Sequence, residues 1–91
     1  MVERRLRQTT ARLRGLREEL RIIDEQLEQL ADEADDYGLR SLVSESPADR
    51  HDHREAKSHA EAMATHRAHV VQSIAELERR QDELLDAMTH H

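Results

Sequence analysis

The sequence predicts an all-α fold, an antiparallel two-helix coiled-coil hairpin, and three observations indicate it. Apolar residues recur at alternating spacings of three and four in both halves of the 91-residue chain, which is typical of a coiled-coil seam. Charged residues make up 37% of the chain and aromatic residues 1%, a composition that suits long exposed helices better than a thick core. The strongest helix-breaking signals, Gly38 and Pro47, lie near the middle.

The first predicted helix covers about residues 2–37. Its seam positions, at three-four spacing, are Val2, Leu6, Thr9, Leu13, Leu16, Leu20, Ile23, Leu27, Leu30, Ala34 and Tyr37. Gly38 follows directly. Because glycine readily adopts the positive φ of a helix C-terminal cap, we expect the helix to end there.

Residues 38–46 are predicted to form the tip of the hairpin. Ser46 and Pro47 are the residue types preferred at an N-cap and at the first helical position, so a second helix is expected to start there. The tip also contains three apolar residues, Leu39, Leu42 and Val43. They either fold back over the neighbouring seam residues or bind a partner, and we expect them to fold back.

The second predicted helix covers about residues 47–89 and repeats the seam spacing. Its seam positions are His53, Ala56, Ala60, Met63, Arg67, Val70, Ile74, Leu77, Gln81, Leu84 and Met88. In an antiparallel pair, the residue numbers of two facing seam positions add up to a constant. Here a sum of 90 matches every seam position of the first helix with one of the second, from 2 with 88 to 37 with 53. Two polar seam residues, Thr9 and Gln81, then face each other, and we expect a hydrogen bond between them.

Charge and composition limit the function classes. The net charge is −6, which argues against nucleic-acid binding over the whole surface. Cysteine is absent, so disulfide and thiolate chemistry are excluded. No signal-peptide pattern or stretch of about 18 apolar residues occurs, so we expect no membrane partner and a cytoplasmic location. Thirteen arginines against one lysine are typical of a GC-rich bacterial genome.

A second apolar face is predicted on the second helix, outside its seam. Its members are Ala64, Ala68, Val71, Ala75 and Leu85. Because small residues let helix axes approach closely, this face predicts a homodimer in which two hairpins pair into a four-helix bundle, or binding to a helix of another protein. The alternative interpretation is that alanine occurs here only as a good helix former.

Seven histidines prompt a search for metal ligands. His51, Glu55 and His59 lie four residues apart on one helix face, and the predicted register brings Glu33 close to His59. Imidazole and carboxylate groups are ligands that Zn²⁺ accepts, so a site near the tip is one hypothesis. The other hypothesis is that these histidines bind no metal and lie exposed on a charged helix. No catalytic residue and no obligatory cofactor are predicted.

One charged residue, Arg67, occupies a seam position. Asp24 or a neighbouring carboxylate is its expected partner, and its aliphatic stem is expected to cover Ile23. An arginine held at that point either fixes the pairing of the helices or contacts a ligand.

A resemblance bears on the ligand hypothesis. Five residues of the second predicted helix follow one another at spacings of 4, 3, 4 and 4: Glu61, Thr65, Ala68, Gln72 and Glu76. This segment resembles actinobacterial anti-sigma coiled-coil hairpins that bind cyclic di-GMP, whose helices carry Glu, Ser, Arg, Gln and Asp at those spacings. Ala68 stands where that family has arginine, and Arg67 is one residue away. The resemblance implies a hairpin fold, a cyclic dinucleotide ligand and a sigma-factor partner.

The acids near the tip carry a second resemblance. Asp32, Glu33, Asp35 and Asp36 are placed as in the secondary-channel factors of bacterial RNA polymerase, whose coiled-coil hairpins present acids at the tip. The sequence thus predicts a non-enzymatic protein-interaction or regulatory module linked to transcription through a sigma factor or RNA polymerase. The alternative is a helical bundle that binds a small ligand or a metal ion.

Overall fold

The computed structural model describes residues 1–44 and 46–90, without the side chain of Ser44. Two helices account for the described ranges, α1 (Val2–Ser44) and α2 (Pro47–Thr89), each of 43 residues. They pair as a helical hairpin, and no strand occurs within those ranges. The predicted all-α hairpin is confirmed.

The end of α1 differs from the prediction. The helix continues through Gly38 to Ser44 instead of ending at residue 37, so the predicted tip of residues 38–46 is mostly helical. Glycine permits a positive φ but does not require one, and its cost inside a helix is only about 1 kcal/mol. Residues 39–44 contain no glycine or proline, and helices usually end at or before the residue preceding a proline.

The start of α2 agrees with the prediction. The helix begins at Pro47, and the carbonyl of Ser46 accepts a hydrogen bond of 3.1 Å from the backbone N–H of Arg50. Proline lacks an N–H, but the first helical N–H has no partner inside a helix, so proline costs little there. Asp49 lies in the first turn, where a carboxylate interacts favourably with the helix dipole.

Contacts within the hairpin group into two units. The terminal unit comprises Met1–Arg21 and Ala68–His91, and the tip unit comprises Ile22–Arg67. Each unit therefore contains a segment of α1 and a segment of α2.

The terminal unit has the more completely buried seam. Leu13 is fully buried, and the other deeply buried side chains of this unit are those of Thr9, Leu16, Val70 and Ile74. Gln81 is half-buried, and its side-chain amide donates a hydrogen bond of 3.1 Å to the hydroxyl of Thr10. The predicted partner Thr9 was therefore wrong by one residue, because Thr10 lies at the margin of the seam, where a long amide side chain reaches it.

The outermost predicted layer, Val2 with Met88, is only partly closed. Both residues line one shallow depression at the ends of the helices, yet Met88 stays 39% exposed. This layer therefore buries less apolar surface than the inner layers of the terminal unit.

The tip unit buries its seam less deeply. Ile23 is buried, whereas the remaining seam side chains are half-buried: Leu27, Leu30, Ala34, Tyr37, His53, Ala56, Ala60, Met63 and Arg67. Four of these are alanine or histidine, which offer less apolar surface than leucine. Less apolar burial means a smaller hydrophobic contribution from this part of the seam.

Exposed ion pairs flank the terminal unit's seam. Arg17 lies 3.8 Å from Glu78 across the two helices, and Arg21 bonds Glu18 one turn away at 2.6 Å. The hydrogen bond and charge of Arg21 hold the pKa of Glu18 below its usual value. Such exposed pairs contribute about 0–1 kcal/mol each, so they adjust the helix pairing more than they stabilise it.

Within the described residues, neither helix has a segment both long and apolar enough to cross a bilayer.

The seam predicts unequal effects of two leucine substitutions. Leu13→Ala should lower the free energy of unfolding by about 2–5 kcal/mol, because it removes fully buried methyl groups and leaves a cavity. Leu42→Ala, at a side chain 80% exposed, should change it by less than about 0.5 kcal/mol. Urea unfolding followed by circular dichroism at one protein concentration compares them. Equal losses would contradict the described seam.

Candidate functional site

A hydrogen bond in the tip unit joins His53 of α2 to the backbone of α1. Its Nδ1 lies 3.0 Å from the carbonyl oxygen of Ala34. Because a carbonyl can only accept, Nδ1 donates the hydrogen of this bond. A Cβ at Gly38 would lie 3.0 Å from Cε1 of His53. Gly38 therefore makes room for the imidazole and does not cap the helix.

Tyr37 has a neighbour one turn away on α1. The guanidinium of Arg40 lies 5.2 Å from the centre of its ring, within the range of a cation–π interaction. On α2, the His53 ring bonds the Ala34 carbonyl.

Arg67 bonds the partner expected for it. Its Nε donates to Oδ1 of Asp24 at 2.5 Å, and this bond, with the charge of Asp24, raises the pKa of Arg67. Both side chains remain more than 40% exposed. The pair is a solvent-exposed ion pair that links α1 to α2 in the tip unit. It uses part of the hydrogen-bonding capacity of Arg67 within the protein.

The residues of the cyclic-dinucleotide resemblance differ in exposure, and Arg67 is the half-buried one. In the tip unit, Glu61 and Thr65 are exposed, and the Thr65 hydroxyl donates to the Glu61 carbonyl at 3.1 Å. Arg67 is half-buried at the seam and bonds Asp24. In the terminal unit, Gln72 and Glu76 are exposed. Since successive helix residues differ by about 100° in direction, Arg67 does not take the place of the family's arginine, where Ala68 stands.

Of the three candidate metal ligands, His51 and Glu55 lie close together, and His59 does not complete a group of three with them. His51 Nε2 lies 3.2 Å from Glu55, one turn away, and both are more than half exposed. His59 and Glu33 line a nearby open groove of about 540 Å³ with Glu55. Within residues 1–44 and 46–90, no group of three or more histidine or acidic side chains is placed to hold a metal ion.

The predicted face on α2 is exposed. In the terminal unit Ala68, Val71 and Ala75 are exposed at three-four spacing, with Val71 at 40%, and Leu85 follows at 45%. In the tip unit Ala64 is exposed as well. An apolar surface is therefore available on α2 outside the seam.

The three apolar residues of the predicted tip do not fold back. Leu39, Leu42 and Val43 lie on the last turns of α1 and are 63%, 80% and 86% exposed. The expectation of capping was wrong, because continuation of α1 as a helix directs these side chains outward. A signal was present in the sequence: the three-four spacing of outward positions continues through Gly38.

Comparisons with known proteins add no relative. No protein family, no curated protein and no solved structure matches the chain. The candidate surfaces therefore rest on the chemistry and exposure of this chain alone.

The two glycines of the chain make a matched pair of tests. Gly15→Ala should raise the free energy of unfolding by about 0.5–1 kcal/mol, since nothing lies within 4 Å of the added Cβ. Gly38→Ala should gain less or lose stability, because the Cβ meets the His53 ring. Urea unfolding measures both.

The His53→Ala background supplies the control for this pair. There Gly38→Ala should stabilise by about as much as Gly15→Ala, since the obstructing ring is gone. If Gly38→Ala stabilises equally with His53 present, the imidazole does not occupy the space above Gly38.

Proposed function

We propose that the chain is a cytoplasmic, non-enzymatic coiled-coil interaction module with a regulatory role, which pairs with a second copy through α2. The observation that carries the proposal is the exposed apolar strip of the terminal unit, Ala68, Val71 and Ala75. These residues lie outside the seam, so pairing of α1 with α2 leaves them uncovered.

The small size of the strip residues determines what it fits. Alanine side chains let a second helix approach to the short end of the usual 8–10 Å range of interaxial distances. Val71 lies between the two alanines, so it would contact the alanine strip of a facing copy. Two hairpins paired this way form an antiparallel four-helix bundle.

The partly buried seam gives a second reason for pairing. Leu20, Leu77 and Leu84 are only half-buried in the terminal unit. A second hairpin would remove more of their surface from water, at roughly 25 cal/mol for each Å² of apolar area. The same hydrophobic gain is available from the exposed strip itself.

The open grooves of the described residues support an interaction role over catalysis. Catalysis needs several polar groups held together in a site that excludes water. The acids and the histidine that line the open groove near the tip, Glu33, Asp52, Glu55 and His59, are instead exposed. A role in transcription is proposed on the family resemblance of α2 and of the tip acids.

Pairing through α2 predicts a specific disruption. Val71→Asp should shift a dimer to a monomer in sedimentation equilibrium, because pairing would bury two unpaired carboxylates. Ala87→Asp is the matched control, since it adds the same charge at an exposed site on α2 outside the strip. A monomeric wild type at high micromolar concentration, or equal dissociation of both variants, would refute the dimer.

The transcription link predicts the partner. Chemical cross-linking in cells of the source organism, followed by mass spectrometry, should join this chain to a sigma factor or to RNA polymerase. Cross-links from α2 lysine and acidic side chains would locate the contact. Reproducible cross-links to unrelated proteins alone would remove transcription from the proposal and leave the pairing of hairpins to be judged by sedimentation.

A further inference from the structure

A continuous outer stripe runs along α1 in the tip unit. At three-four spacing it begins with acids and ends with apolar residues: Glu25, Glu28, Asp32, Asp35, Asp36, Leu39, Leu42 and Val43. All eight side chains are exposed. We call this set the outer stripe.

The apolar end of the outer stripe is unusual for a solvated helix. Leu39, Leu42 and Val43 project from α1 at positions where the preceding turns carry acids, and Leu42 and Val43 are at least 80% exposed. Leu39 and Leu42 line an open groove of about 550 Å³ with Asp35 and His53. Clustered large apolar side chains left in water typically mark a binding surface.

The net charge of the tip unit indicates the charge that a partner should carry. The sequence of the tip unit, residues 22–67, contains twelve Asp and Glu against five Arg and Lys, a formal net charge of −7 with histidines neutral. The last turn of α1 carries no basic residue, so the negative end of the helix dipole adds to this potential. A cationic partner is attracted here, and it would bind faster at low salt.

We propose that the outer stripe binds a basic amphipathic helix of a partner protein. The stripe spans about 18 residues, or about 27 Å of helix. A matching helix has apolar residues at one end, which cover Leu39, Leu42 and Val43, and arginines or lysines on the same face, which meet the acids. Helix against helix at three-four spacing is a common recognition mode.

Other occupants fit this stripe less well. Nucleic-acid phosphates and anionic lipid headgroups are repelled by its carboxylates. Two tip units from separate copies would bring net charges of −7 together. The basic segment of this chain, residues 4–21, has its four leucines buried or half-buried in its own seam, so none of them is exposed to cover the apolar end.

This inference rests on the proposed interaction function, and a defined peptide tests it. The probe is a fluorescent synthetic helix of about 18 residues, with leucines at one end and lysines along the same face. Anisotropy with the full chain should show saturable binding that weakens as NaCl rises from about 50 to about 300 mM. A control peptide has the same composition with leucines and lysines scattered around the helix.

Two double variants separate the parts of the stripe. Asp32→Asn with Asp35→Asn should weaken binding roughly tenfold or more and flatten its salt dependence. Leu39→Ser with Leu42→Ser should weaken it by a similar factor at every salt concentration. The matched controls, Asp82→Asn with Asp86→Asn and Ala87→Ser, alter exposed residues of the terminal unit and should bind as the wild type does.

Several results would overturn the inference. They are no binding by the wild type at about 0.5 mM, equal binding of the scattered peptide, or equal weakening by the terminal-unit controls. Circular dichroism of each variant verifies that the helices are intact. Sedimentation of the same samples distinguishes the two proposals: a dimer that ignores the peptide refutes the outer stripe alone, whereas a monomer that binds it refutes pairing through α2 alone.

Discussion

The apolar seam is the constraint on which the other features depend. Two helices with one seam can bury only the residues facing each other, and in the described ranges the deeply buried side chains are all seam residues. Most other positions of the described residues are exposed or half-buried. In the part of the chain that the structure describes, specific chemistry is accordingly presented on outer helix faces.

The contact between Gly38 and His53 shows how one seam layer directs a distant feature. The missing Cβ lets the imidazole approach α1 and bond the Ala34 carbonyl. α1 passes through this contact and continues to Ser44. This continuation places Leu39, Leu42 and Val43 on the outside of a helix, where they form an exposed apolar surface.

The two candidate surfaces differ in chemistry, and they therefore favour different kinds of partner. The strip on α2 in the terminal unit consists of small apolar residues, which favour close helix packing and therefore a second copy with the same strip. The outer stripe on α1 in the tip unit combines large apolar residues with acids, which favours a partner of opposite charge. Self-pairing and partner binding therefore require different residues.

The sequence by itself determined the two helices, their antiparallel pairing, the seam positions and the start of α2. Periodic apolar residues and a Ser-Pro helix start are repeating or local signals, so they can be recognised in the sequence alone. The partner of Arg67 also followed from the register, since Asp24 lies beside it in the predicted pairing. The exposed strip on α2 was likewise legible from spacing.

Only the tertiary structure decided the role of Gly38, the partner of Gln81 and the direction of the tip leucines. A glycine serves equally as a helix cap or as space for a neighbouring ring, and only the position of His53 distinguishes these roles. The hydroxyls of Thr9 and Thr10 are one residue apart, so the choice between them depends on side-chain reach. These outcomes depend on contacts between residues far apart in the chain, which local sequence patterns do not specify.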